Sequence, residues 1–71
     1  MEQTLRAEMV ASVHSILVRV GDAVAIGDTL VILESMKMEI PVVVEAAGVV
    51  AEISVAPGEV IREGDVIAIL V

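Results

Sequence analysis

Seventy-one residues suffice for one small domain and no more, so 1–71 is read as a single domain. A formal charge of −7, from 4 basic against 11 acidic side chains, and the lack of any Phe, Tyr or Trp remove both the basic patch and the stacking platform of a nucleic-acid binder. With no cysteine and one histidine, a disulfide framework, a thiolate nucleophile and a clustered zinc site are excluded too. Although 58% of the residues are hydrophobic, charged side chains cut every apolar run well short of the ~18 residues of a membrane span. Met1-Glu2-Gln3-Thr4 lacks the basic and apolar regions of a secretory signal. The expectation is a cytoplasmic monomer with neither membrane nor nucleic acid as partner, its core built from Val, Ile, Leu, Ala and Met.

Period-two alternation rich in Val and Ile predicts strands along almost the whole chain, and no segment carries a helical stripe. In order, strands are expected at 2–7, 12–19, 23–26, 29–34, 38–44, 49–55, 60–62 and 65–70. Sliding the chain by 37 residues aligns its halves without a gap: Glu8 falls on Glu45, Val13 on Val50, Gly21 on Gly58, Gly27 on Gly64, Asp28 on Asp65 and Leu33 on Leu70. Two copies exclude a solenoid and imply a pseudo-two-fold all-β domain with two sheets packed face to face.

The repeat assigns the glycines to turns. Val20-Gly21-Asp22 matches Pro57-Gly58-Glu59. Proline at the first central position and glycine at the second are the signature of a type II turn. Gly27-Asp28 and Gly64-Asp65 form a second matched pair, in which the aspartate can accept from a nearby backbone N–H. A phosphate cradle is the alternative, but neither pair opens onto a helix. His14, aligned with Ala51, reads as an exposed strand residue, since neither a nucleophile nor an orienting group accompanies it. Glu8 and Glu45 are expected at separate, solvated positions. Pro41 is expected on an edge strand or at a ladder end. Ala11, whose mate is Gly48, carries strain if that position needs a positive φ, but the expectation is that the backbone adjusts there instead.

The centre of the chain holds the candidate site. Leu30-Val31-Ile32-Leu33 and Ile40-Pro41-Val42-Val43-Val44 flank Glu34-Ser35-Met36-Lys37-Met38-Glu39, which reads as a hairpin with Lys37 at or beside its tip. Lys37 is the sole lysine. A polar tip residue needs no functional explanation, but Met36 and Met38 expose apolar side chains where Asn, Gly or Asp would be cheaper.

Met36-Lys37-Met38 at a hairpin tip, preceded by Glu34 and followed by Glu39, resembles the attachment motif of biotinyl domains, the biotin carboxyl carrier family. Ser35 stands where alanine is commonest, and the Asp-Lys-Ala of the sister lipoyl domains is absent. The likeness extends over roughly 6–70, and the family usually has glycine at both Ala11 and Gly48. It implies a flattened β-barrel, or sandwich, of two four-stranded antiparallel sheets related by an approximate two-fold. The short connection between Gly21 and Gly27 leaves no room for the thumb of some bacterial carriers. The chain is thus similar to the small free-standing biotinylated proteins of actinobacteria.

The resemblance also implies a function. A biotin protein ligase would join activated biotin to Lys37 as an amide, and the biotin would carry CO2 between biotin carboxylase and carboxyltransferase sites. A lysine amine is nucleophilic only when neutral and has a reference pKa of about 10.4, so the ligase must supply the base. The domain itself would catalyse nothing, and Met36 and Met38 would form a flexible apolar collar around the lysine. A lipoyl-type acyl carrier and an unmodified β assembly module stay as alternatives, separated by the mass of any adduct on Lys37.

Overall fold

In the computed structural model, which describes residues 2–71, the alternating segments form eight strands. They are β1 (Gln3–Arg6), β2 (Ala11–Ile16), β3 (Ala23–Val24), β4 (Thr29–Ser35), β5 (Met38–Val43), β6 (Gly48–Ile53), β7 (Val60–Ile61) and β8 (Val66–Leu70). The largest change from expectation is in β2, which stops at Ile16, leaving two residues before the turn at 19–22.

The strands make two four-stranded antiparallel sheets, ordered β1-β8-β6-β3 and β5-β4-β2-β7. A shift of 37 carries β1 onto β5, β2 onto β6, β3 onto β7 and β4 onto β8, and so carries one sheet order onto the other. Each sheet therefore takes two strands from each half of the chain, and neither half contains a complete sheet. The seams are stitched reciprocally: Gly21 N–H donates to Val50 O at 2.8 Å and Val50 N–H to Asp22 O at 2.9 Å. Their mates do the same, Gly58 N–H to Val13 O at 2.7 Å and Val13 N–H to Glu59 O at 2.8 Å.

Between the sheets lies an aliphatic core in which Leu30, Ile61, Ile67, Leu70, Val13, Val31, Val44 and Val50 are fully buried. Each contributes roughly 1.5–3 kcal/mol by leaving water. Among the described residues no polar or charged residue is buried. His14 and Ala51, matched by the repeat, are the extra residues of matched β-bulges in β2 and β6. Such bulges bend and twist a strand, which helps two flat sheets close over one core.

Four turns share one geometry. In residues 19–22, 25–28, 56–59 and 62–65 the fourth N–H donates to the first carbonyl, at 3.0 to 3.1 Å. Gly21, Gly27, Gly58 and Gly64 occupy the third place with φ between 87 and 99°. The acid in fourth place then accepts from the N–H of the first residue: Arg19 to Asp22 (2.9 Å), Ala25 to Asp28 (2.8 Å), Ala56 to Glu59 (3.1 Å) and Arg62 to Asp65 (2.8 Å). The type II reading holds, and the carboxylate role extends to all four turns.

Position 48 needs glycine for another reason. Neither Ala11 nor Gly48 has a positive φ, so the strain considered for Ala11 is absent. A Cβ on Gly48 would instead lie 2.8 Å from the Val71 carbonyl oxygen. Pro41 sits on β5, an edge strand, where its missing N–H breaks no ladder.

The direction of the strands separates the tip from the chain ends. Ser35 pairs with Met38 at one end of the β4–β5 hairpin and Thr29 with Val43 at the other. From Val43 the chain crosses to Gly48, which packs against Val71. Gln3 is the register partner of Leu70 at that same far end. The shift of 37 also leads one to expect Met1 beside Val71, opposite the lysine, but Met1 lies outside the described residues. The described residues extend over 32 × 19 × 17 Å, so the lysine turn lies far from Gln3 and Val71.

Candidate functional site

β4 is an interior strand, held between β5 and β2, with Val31 and Leu33 buried beneath it. It carries the ladder with β5 out to the pairs Glu34–Glu39 and Ser35–Met38, leaving a loop of Met36 and Lys37 alone. Their φ values are 53° and 65°. A two-residue hairpin loop with both φ positive is a type I′ turn, whose twist matches that of the flanking strands. Asn-Gly is the favoured pair there. A residue with a full side chain pays ~1–2 kcal/mol to sit in the left-handed region. Glu34 and Glu39, exposed and directly opposite, add a like-charge pair that further weakens the hairpin.

The side chains of this turn point away from the fold. Met36 is 88% exposed and Met38 58% exposed, so neither folds back onto the core. Lys37 is exposed between them. The three residues singled out by sequence thus form one cluster: a primary amine, flanked by two thioethers, at the apex of a hairpin anchored in the core. The chemistry open to such an amine is acylation or another condensation.

The other candidates are dispersed. His14 is exposed at its bulge, with Nδ1 3.4 Å from Ser15 Oγ. Among the described residues no group of acidic and histidine side chains is arranged to hold a metal. Glu8 and Glu45 are exposed, as expected, but they are not unrelated positions. Both line a cleft of about 200 Å³ between the unpaired edges of β1 and β5. The repeat contained a sign of this, because each glutamate follows shortly after an edge strand. Only the interleaving of the halves places those two edges side by side.

Residues 3–70 match the Biotin_lipoyl family, described as biotin-requiring enzyme. The chain is 53% identical over 70 residues to the biotinylated protein TB7.3 homolog of Mycobacterium leprae, an alignment covering 99% of each. Among solved structures, it is similar to part of the urea carboxylase of Kluyveromyces lactis, with a TM-score of 0.92 and 31% identity. That match covers all of this chain but only 6% of the carboxylase. A lipoyl domain of the 2-oxoglutarate dehydrogenase complex from Azotobacter vinelandii is similar with a TM-score of 0.76 and 29% identity, over 87% of this chain and 78% of that domain.

Proposed function

This chain belongs to the biotin and lipoyl attachment family, and we propose that it is a biotin carboxyl carrier with biotin held on the Lys37 amine. It is an attachment domain of the carrier type and resembles the carrier domains within carboxylases. One observation carries the finer reading: the sole lysine stands at the apex of a strained turn, flanked by two exposed methionines. Biotin is favoured over lipoate by three comparisons. Met36-Lys37-Met38 is not Asp-Lys-Ala, the M. leprae relative is named as biotinylated, and the carboxylase superposes more closely than the lipoyl domain.

The residues present fit an acyl group of this kind. Lys37 Nζ, once deprotonated by the ligase, attacks the activated carboxyl; the C–N amide bond forms, the leaving group departs and the nitrogen releases a second proton. Amide formation removes one positive charge, moving the formal charge from −7 to −7 − 1 = −8. Bound biotin supplies a ureido group that takes up and hands on CO2. What this chain supplies is presentation. The anchored hairpin holds the amine clear of the surface, and the tether raises the local concentration of its cargo at whichever partner the domain meets. Met36 and Met38, unbranched and polarizable, can adapt to several surfaces in turn. The partners under this proposal are a biotin protein ligase, a biotin carboxylase and a carboxyltransferase.

Intact-mass measurement of the protein from its native host should show one biotinyl adduct, mapping by fragmentation to Lys37. Lys37→Arg keeps the charge and removes the acylatable amine, so streptavidin detection should drop to background in a variant that remains folded. Persistent signal from that variant, or a lipoyl mass on the native protein, would overturn the assignment.

A further inference from the structure

We propose that the tip-side end of the β1–β5 cleft is a docking site for the biotin ring carried on Lys37, with Arg6 and Glu8 as its polar contacts. The proposal rests on the biotin reading above and concerns where the loaded arm goes when no partner holds it.

The cleft exists because β1 and β5 are edge strands of different sheets that lie along one seam without pairing. Half-buried Leu5, Ile40 and Val42 form its apolar wall over the buried Leu33 and Ile67 of the core, and Arg6, Glu8 and Glu45 are the charged residues along it. A volume near 200 Å³ falls below the ~300 Å³ at which pockets begin to enclose drug-sized ligands, so it suits a ring-sized group.

Reach selects the occupant. Leu33 and Ile40 are register partners two pairs below Ser35–Met38. At ~3.3 Å per residue the cleft wall begins ~7 Å from the last ladder pair. The lysine side chain and a biotin tail together comprise about ten bonds of ~1.5 Å, an arm of roughly 12 Å when extended. An arm of that length can fold back from the turn to the tip-side half of the cleft, and it is covalently confined to this neighbourhood.

Chemistry selects the contacts. A ureido group offers two N–H donors and one carbonyl acceptor. Glu8 can only accept and Arg6 can only donate, so the pair matches both sides of that group. Arg6 Nη1 already donates to Gly64 O at 2.9 Å, and among the described residues its guanidinium has no other partner. The dithiolane ring of lipoate has no N–H to offer Glu8. Strand direction then distinguishes the two glutamates. Glu8 follows β1, which ends near the lysine turn, whereas Glu45 follows β5, which runs away from it. Glu45 is therefore an internal control, alike in charge and in its place in the repeat but at the wrong end of the cleft.

Because Lys37 is the sole lysine, a biotin active ester can load it chemically once the α-amine is blocked, with no ligase involved. Methyl and backbone NMR spectra of loaded and unloaded protein should then differ at Leu5, Leu33, Ile40 and Val42 as well as at the turn. Glu8→Gln should reduce the cleft shifts by about threefold or more, the scale set by losing one charge-assisted hydrogen bond, while Glu45→Gln leaves them unchanged. Shifts confined to residues 35–38, or an equal response to the two substitutions, would overturn the proposal. Absence of biotin on the native protein sinks the carrier reading alone, since the chemically loaded spectra report on the cleft regardless.

Discussion

In the turns at residues 19–22, 25–28, 56–59 and 62–65 the positive φ falls on glycine, and a carboxylate seals each reversal. At the tip of the β4–β5 hairpin it falls on Met36 and Lys37, with two glutamates opposed just behind. Glycine enters that region without the steric cost that a Cβ imposes. The four glycine turns are therefore built for the fold. The lysine turn places costly residues where cheap ones exist, which is expected where the side chains serve something outside the molecule.

The contrast can be broken most severely at a glycine turn. Gly58→Val forces a β-branched residue to a φ of 87° and should cost about 2–3 kcal/mol. In a domain of this size that lowers Tm by about 10 °C or more, read by thermal denaturation. Acylation of Lys37, measured where the variant is still folded, should be unaffected. If Gly58→Val is harmless, the glycine turns are not the supports described.

The lysine turn should respond with the opposite sign. Met36→Asn introduces a residue that tolerates the left-handed region and should raise stability by about 0.5–1 kcal/mol. Ligase turnover, followed by the rate of biotin incorporation, should fall because the collar is lost. A variant that is both less stable and normally biotinylated would invert the comparison.

The smallest effect is expected from Met36→Leu combined with Met38→Leu. Both residues are mostly exposed, so denaturant midpoints should place the double variant within about 1 kcal/mol of the parent. A larger loss would mean that the methionines serve the fold after all. Any change confined to the rates with partner enzymes would sharpen their assignment as an adaptable contact surface.

Much of this was legible along the chain because it depends on near neighbours. Period-two alternation placed all eight strands, with β2 the worst judged, since its apolar run continues through Leu17 and Val18 after the strand has ended. Gly58 after Pro57 specified its turn, and the shift of 37 transferred that reading to Gly21. Met36-Lys37-Met38 marked the candidate site, and two short apolar arms were enough to put it at a hairpin tip. At positions 11 and 48 the sequence offered only the condition of a positive φ, which neither residue has, whereas the constraint on Gly48 is the approach of Val71, which follows β8 far away in sequence.

By itself, then, the sequence determined what each residue does locally: which segments extend, where they reverse, and which lysine is presented. Tertiary structure alone decided how the halves combine. The repeat is equally compatible with one sheet per half and with two sheets that each borrow strands from both, because alternation says which side a residue faces but not which strand lies beside it. Strand pairing is non-local and is settled by burying one common aliphatic core, and here that choice interleaves the halves. The β1–β5 cleft follows from the same choice. Two edges separated by a whole half-chain meet along one seam, and Glu8 and Glu45, 37 residues apart in the sequence, come to line a single opening.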